Sequence, residues 1–255
     1  MNQNEIMDAR WNYKGNVKIG SIASFAMLAG NTVHESKYGP VTGTCGRCCE
    51  YCWKQTDGKK RRPCYVDKSY RYPSVVDGHA RNTLSVRNDC EKAFQQLSNS
   101  LTRKRKPVTA CRYDEAGEIE NKKVHECMAK VAAEHTETPF YNYSKQFDIV
   151  TENLLAGIVP ENFTNLFSIW HEQGIEEYKK VAHMSNVKAY VFLDKPGTPG
   201  GWTIEDYKKH GIEITTLCHA YNEKGKLNHE VTCDKCRKCF NRLNSCKVIG
   251  CYDHS

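Results

Sequence analysis

The sequence predicts an α/β fold in which a parallel β-sheet is covered by helices. Two observations carry this prediction: short apolar, strand-like runs alternate with helical segments, and glycine, proline or aspartate bounds most of the runs. A connection that contains a helix joins neighbouring strands in parallel. Six such strands suit an open or partial (β/α)6 barrel better than a closed eight-stranded one, and a doubly wound sheet is the alternative.

The predicted elements follow one another in this alternating pattern. The last helix has the clearest start, because Thr203 is an N-cap residue and Glu205 and Asp206 fall in the first turn. The predicted strands are 17–28, 108–113, 139–143, 163–170, 187–193 and 212–217. The predicted helices are 73–101, 121–132, 147–155, 175–184 and 203–210. The pattern predicts one α/β unit over residues 1–217 and a cysteine-rich extension over 218–255.

Composition narrows the class of protein. The chain has 255 residues, of which 39% are hydrophobic and 26% charged, so we expect a folded domain rather than disorder. Residues 1–14 are polar and lack the apolar core of a signal peptide, and no run approaches the roughly 18 apolar residues of a membrane span. These features predict a cytoplasmic protein with no membrane partner. The net charge of +7 permits an anionic ligand or nucleic acid.

Cysteine is the exceptional residue, with 14 copies, of which all but Cys90, Cys111 and Cys127 fall in two clusters. Disulfides need an oxidising compartment, whereas closely spaced cysteines in a reducing cytosol are typical of metal or iron–sulfur ligands. The first cluster comprises Cys45, Cys48, Cys49, Cys52 and Cys64. The second comprises Cys218, Cys233, Cys236, Cys239, Cys246 and Cys251.

The first cluster contains the spacing Cys45-x3-Cys49-x2-Cys52, with Tyr51 directly before the last cysteine. Three thiolates on a tight loop can hold three irons of a [4Fe–4S] cluster and leave the fourth iron open for a substrate. Cys48 and Cys64 leave other ligand sets open, including a zinc site.

This motif resembles that of the radical S-adenosylmethionine (SAM) enzymes. A second likeness is the sequence DEAGE after strand 108–113, where Ala116, Gly117 and Glu118 resemble the Gly-Gly-Glu type motif that receives the amino group of SAM. Glu115 is the next candidate carboxylate. A plain polar turn is the alternative reading of DEAGE. The resemblance implies a partial barrel of radical SAM type, SAM and an electron donor as partners, and reductive cleavage of SAM to start radical chemistry on a substrate.

The second cluster contains Cys233-x2-Cys236-x2-Cys239, with Cys218 fifteen residues upstream. Four thiolates are enough for a closed [4Fe–4S] cluster or an all-thiolate zinc site. Cys246 and Cys251 are alternatives to Cys218. The segment is poor in periodic apolar residues, so we expect a metal to supply much of its folding free energy.

A narrower resemblance covers most of the chain. It is similar to the cysteine-rich gene product 88 family of phages and prophages, and the matching stretches are NVKIGSIASFAMLAG, PCYVDKSYRYPSVVDGHARNTL, CRYDEAGE, PFYNYSK and LCHAYNEKGKLNHEVTCDKCRKCF. That likeness places the protein in the cytoplasm of a bacterial or phage-infected cell. This likeness informs the architecture of the protein but does not identify a reaction.

Two function classes therefore remain. The first is an iron–sulfur enzyme of radical SAM type, acting on a nucleic acid, a nucleotide or a host protein. The alternative is a zinc-stabilised phage-type protein that binds nucleic acid or another macromolecule without catalysis. A cluster protein that has lost the radical reaction is a third possibility. Arg112, Lys145 and Asp194, which lie in or directly after predicted strands, are further candidates for ligand contacts.

Overall fold

The computed structural model describes residues 8–13, 18–46, 54–56, 59–61, 66–198, 200–222, 224, 226–241 and 244–253. In chain order its strands are β1 (Ala23–Ser24), β2 (Val33–Ser36), β3 (Gly39–Thr42), β4 (Lys54–Thr56), β5 (Lys59–Arg61), β6 (Cys111–Arg112), β7 (Phe140–Ser144), β8 (Phe163–Ile169), β9 (Val187–Leu193), β10 (Thr216–Leu217) and β11 (Val248–Tyr252). Two antiparallel pairs, β2–β3 and β4–β5, stand apart from the main sheet.

The main sheet has seven strands in the order β1-β6-β7-β8-β9-β11-β10, and every pairing in it is parallel. This confirms the predicted parallel α/β class. The two edge strands, β1 and β10, do not pair with each other in the described part of the chain, so the sheet is open rather than a closed barrel.

Six of the described helices pack in one core on one face of this sheet. In chain order the helices are α1 (Val66–Ser69), α2 (Pro73–Asn88), α3 (Cys90–Thr102), α4 (Lys122–Glu134), α5 (Phe147–Leu155), α6 (Ile175–Val181), α7 (Ile204–Lys209) and α8 (Cys233–Cys236), and the six in the core are α2 to α7. Phe94 of α3, Met128 of α4 and Tyr207 of α7 are buried in the same core as alternate strand residues such as Phe163 and Val191. None of the described helices is both long enough and apolar enough to cross a membrane.

Strands β1, β6, β7, β8 and β9 follow chain order, and the helices between them belong to one core. A doubly wound sheet places helices on both faces and reverses its strand order near the middle. The doubly wound alternative is therefore wrong for the described elements, and the sheet is singly wound.

The opposite face is covered by the cysteine-rich segment. We call it the tyrosine face after Tyr141, Tyr143 and Tyr190, which alternation along β7 and β9 places there. Phe240 stacks on Tyr141 with 5.1 Å between ring centroids. The segment ends in β11, which enters the sheet between β9 and β10 with Ile249 facing the tyrosine side. The division at residue 217 stays a prediction, but the extension supplies a strand of the sheet.

Several predicted elements differ in the structure: strand 108–113 pairs only at β6, strand 212–217 pairs only at β10, and β11 was not predicted. The segment 73–101 forms two helices, because Asp89 has an extended backbone (φ −158°, ψ 95°) and its carboxylate caps α3 by accepting the Lys92 N–H. Of the predicted strand 17–28, only β1 pairs with the sheet. The residues after β1 run beside the end of β6 and the turn that follows it. There the N–H of Phe25 donates to the Arg112 carbonyl (2.8 Å).

A buried lysine ties the segment to the tyrosine face. Lys188 of β9 is 1% exposed. Its ammonium donates to the carbonyl oxygens of Lys238 (2.7 Å) and Asn241 (2.9 Å) and to the side-chain oxygen of Asn244 (2.7 Å). These three bonds satisfy a charge that would otherwise be costly to bury.

We predict that Lys188→Met lowers the free energy of unfolding by about 2–3 kcal/mol, because three buried acceptors lose a charged donor. Limited proteolysis with mass mapping should show new cleavage between residues 219 and 247. Lys179→Met, at an exposed position of α6, is the matched control and should change neither measurement. An unchanged midpoint and cleavage pattern for Lys188→Met would contradict the anchoring role.

Candidate functional site

The predicted ligand-binding turn and the first cysteine loop meet beyond the carboxyl ends of β1 and β6. In parallel sheets ligands bind at this edge. Gly117 has φ +82°, and a Cβ there would lie 2.7 Å from the Thr44 hydroxyl and 2.9 Å from the Met27 carbonyl. The Glu118 N–H donates to the Thr44 hydroxyl (2.8 Å), which in turn donates to the Leu28 carbonyl (3.0 Å). The two loops are therefore locked together at a position that requires glycine.

Cys45 lies directly beside this contact. It packs with Ala116 against Ala26, Ala29 and Val66. Its sulfur accepts the Gly30 N–H at 3.1 Å, a bond that favours the thiolate form. The structure thus brings Cys45 to the DEAGE turn. The other predicted members of this site lie outside the described residues, so their roles stay predictions: Cys48, Cys49, Tyr51, Cys52 and Cys64.

Glu118 is buried and already bound on both carboxylate oxygens. Oε1 accepts from the Ser144 hydroxyl (2.7 Å) and the Ile119 N–H (3.1 Å), and Oε2 accepts from the Lys145 N–H (2.8 Å). Burial raises the pKa of Glu118 while the Lys145 ammonium opposes that shift. Burial also raises the pKa of Asp114, helped by Glu118. Glu118 therefore joins the ends of β6 and β7.

Glu115 faces a cavity instead. This cavity, which we call the α2 cavity, has a volume of about 490 Å³ and is lined by α2, β1 and the DEAGE turn, including Glu115 and Ala116. The Ser24 hydroxyl donates to the Glu115 carboxylate. His79 lies on the α2 wall, and burial lowers its pKa to about 4, so its ring is neutral near pH 7.

The second predicted cysteine set converges on one pocket. Cys218, Cys233, Cys236 and Cys239 line a small cavity of about 30 Å³ on the tyrosine face. We call these four the C-terminal thiol site. Cys218 directly follows β10, and its N–H donates to the Gly250 carbonyl of β11 (2.7 Å).

The turn that carries Cys233 and Cys236 is docked onto the chain before β1. The Cys233 N–H donates to the Lys18 carbonyl (2.8 Å). Asp234 accepts from both the N–H (3.0 Å) and the hydroxyl (2.9 Å) of Ser21. A Cβ at Gly20 would lie 2.3 Å from the Asp234 carboxylate, so this approach also requires glycine.

Polar hydrogens and charges surround these sulfurs. The Tyr143 hydroxyl donates to the Cys239 sulfur (2.9 Å), although burial raises the pKa of Cys239 to about 12. A hydrogen bond from Cys251 lowers the pKa of Cys218 to about 5, and the Lys18 ammonium acts in the same direction. Cys251 therefore lies beside Cys218, and the choice between them as a ligand stays a prediction. In the described part of the chain, no three histidine, cysteine or acidic side chains converge on a single metal-ion position.

The remaining candidates occupy separate places. Arg112 lies on the tyrosine face with its guanidinium 4.8 Å from the Tyr143 ring centroid. The Lys145 ammonium lies 3.2 Å from the Ser168 hydroxyl, beyond the end of β7. Asp194 follows β9 and accepts from the Trp202 N–H at 2.8 Å.

Sequence reasoning missed the partner of Asp194. His171 Nε2 lies 2.9 Å from the Asp194 carboxylate, and the His171 backbone has φ +58°. The two residues follow neighbouring strands, β8 and β9, so parallel pairing brings them together. The signal in the sequence is a polar residue directly after each of the predicted strands 163–170 and 187–193.

The fold and these two sites define a class: a singly wound parallel α/β protein with a thiol site on the face opposite its helices. A family model described as Gene product 88 matches residues 9–242. The chain belongs to the Gene product 88 family. No curated protein and no solved structure matches it.

We predict that Gly117→Ala lowers the free energy of unfolding by about 2–4 kcal/mol, because the left-handed backbone and the contact with Thr44 both oppose a Cβ. Gly157→Ala separates the two effects, since Gly157 has φ +69° and a Cβ there would meet nothing within 4 Å. It should cost only about 1–2 kcal/mol. If both variants lose the same free energy of unfolding in urea denaturation, the contact between the two loops contributes nothing to stability.

Proposed function

We propose that the protein is an iron–sulfur protein of radical SAM type. The observation that supports this proposal best is the contact between Gly117 and Thr44, which holds the DEAGE turn against the loop that begins at Cys45. Such enzymes need a thiolate-bound cluster and an ammonium-binding carboxylate at one edge of a parallel sheet. The open, singly wound sheet is compatible with a partial barrel of that type.

Cys45, Cys49 and Cys52 would hold the open cluster in this proposal. Cys45 is the member of this set that the structure describes, and it suits a cluster ligand, because its sulfur accepts a backbone N–H beside the DEAGE turn. When bound, the reduced cluster supplies the electron that breaks the sulfonium bond of SAM. The chain's own part is to bind and orient SAM: Glu115 faces the α2 cavity and offers a carboxylate to its ammonium.

The C-terminal thiol site would hold a second, closed cluster. Its four cysteines line one pocket without converging on one ion position. A zinc ion needs sulfurs about 3.8 Å apart, given Zn–S bonds of about 2.3 Å, whereas a cluster binds each thiolate through a different iron. Four thiolates are enough for either group, and metal analysis distinguishes the two. The Tyr143 hydroxyl and the Lys18 ammonium would stabilise the thiolates.

The first test is SAM binding. Anaerobically purified, iron-loaded protein should bind SAM in calorimetry, and SAM should change the electron paramagnetic resonance spectrum of the reduced cluster. Glu115→Gln should weaken binding by roughly ten- to hundredfold, because a charge-assisted bond is lost. Glu137→Gln, at an exposed position away from the cavity, should bind like wild type. If protein with a complete cluster gives the same spectrum with and without SAM, the radical SAM assignment is excluded.

The alternative is a zinc-stabilised protein that binds nucleic acid or another macromolecule. It is favoured by Lys235 and Arg237, which are exposed between the cysteines of the C-terminal thiol site. A backbone-binding surface of this kind would show salt-dependent affinity. A colourless protein with stoichiometric zinc would support this alternative over the cluster.

We predict that Cys236→Ser removes about four irons per chain, or about one zinc if the alternative holds, because one of four ligands is lost. Cys246→Ser is the matched control, since Cys246 belongs to the same segment but does not line the pocket. Metal analysis should show full loading of that variant. Full loading of Cys236→Ser would mean that the second set of ligands is wrong.

A further inference from the structure

The α2 cavity has a cationic end that the proposed function does not use. Arg10 and Arg81 both line it. Burial and then the charge of Arg10 lower the pKa of Arg81, and the smaller effects of Tyr38 and Asp8 oppose that shift. Neither guanidinium forms an ion pair with a carboxylate among the described residues, and Arg81 Nε is buried there without a hydrogen-bond acceptor. Two like charges held close together favour an anion between them.

The fold fixes the backbone of Arg10 beside α2. Asn82 accepts the Arg10 N–H (3.0 Å) and donates to the carbonyls of Arg10 (3.2 Å) and Ala26 (3.0 Å). Asn12 adds an antiparallel bridge to Ser24 of β1. The exposed side chain of Arg10 then reaches the same cavity as Arg81.

The N-terminus of α2 adds positive potential to the same wall. Ser74, Gly78 and Arg81 are spaced i, i+4 and i+7, so they share one helix face, and all three line the cavity. The 16-residue helix begins without a side-chain cap and without an acidic residue in its first turn. Pro73 has no N–H and the Val75 N–H donates to the Tyr72 carbonyl (3.0 Å), so the helix dipole, rather than a row of free N–H groups, favours an anion on this side.

Gly78 keeps this wall open. It lies inside α2, where glycine costs roughly 1 kcal/mol relative to alanine. Packing does not require it, because a Cβ at this position would meet nothing within 4 Å. The missing side chain leaves space for a ligand beside Ser74 and Arg81.

We propose that the arginine end of the α2 cavity binds the phosphate group of a small phosphorylated ligand. Two guanidiniums and a helix N-terminus match a phosphate dianion better than a singly charged carboxylate. The volume of about 490 Å³ suits a ligand of nucleotide size. Glu115, which accepts from the Ser24 hydroxyl and lines the same cavity, requires a neutral or cationic group beside it. The phosphorylated ligand would share this cavity with the SAM of the proposed function, so the two ligands would compete and the arginines are tested without SAM.

The test uses pyrophosphate as the probe with the full chain and no SAM. Calorimetry should show binding, and Arg81→Gln and Arg10→Gln should each weaken it by roughly ten- to hundredfold, because a charged bond is lost. Arg103→Gln, in the exposed basic run after α3, is the control and should bind like wild type.

Gly78→Leu keeps the test decisive if an arginine variant fails to fold. The leucine enters open space, so the thermal midpoint should stay close to that of wild type while pyrophosphate binding is lost. The proposal is overturned if pyrophosphate does not bind, if Gly78→Leu binds it normally, or if Arg103→Gln loses binding equally. If SAM binding depends on Arg81 but pyrophosphate does not bind, the arginines recognise the carboxylate of SAM, and the proposal of a phosphate site is overturned.

Discussion

The handedness of strand crossovers determines where the chemistry of this protein lies. From β1 to β9 the chain advances across the sheet in one direction, so right-handed connections place their helices on one face. The connection from β10 to β11 runs in the opposite direction. A right-handed connection must then cross the other face, and it carries Cys233, Cys236 and Cys239 onto the tyrosine face. One reversal of strand order therefore creates the C-terminal thiol site and covers the face that the helices leave free.

The parallel sheet could be predicted from sequence because its strands are apolar runs between turn residues. The meeting of Cys45 with the DEAGE turn was also predictable, since both follow neighbouring parallel strands. The insertion of β11 was not predictable, because a five-residue strand at the end of a polar segment has little periodicity of its own. Its place depends on pairing with β9, which is a tertiary contact.

The choice between neighbouring carboxylates also depends on tertiary contacts. In the sequence, Glu115 and Glu118 are equivalent acidic residues of one turn. In the structure, Glu118 accepts hydrogen bonds from the Ser144 hydroxyl at the end of β7 and from the Lys145 N–H after it. Its position is therefore determined by residues that lie 26 and 27 positions further along the chain. Glu115 turns to the α2 cavity. The motif gives the residue types of the turn, but contacts at the end of β7 determine which carboxylate is enclosed between the strands and which lines the α2 cavity.

Buried cations provide a further link between the two sites. Burial opposes the charge of Lys18, yet Tyr221, Cys218 and Cys251 around it raise its pKa. Arg112 projects to the same face, and its charge lowers the pKa of Cys233 against the effect of burial. A buried cation costs free energy beside a neutral thiol, whereas beside a thiolate the opposite charges attract. Around Cys233 these cations therefore oppose the effect of burial, which still raises the pKa of the thiol. Because Arg112 belongs to β6, whose following turn faces Cys45, the same strand organises both proposed metal sites.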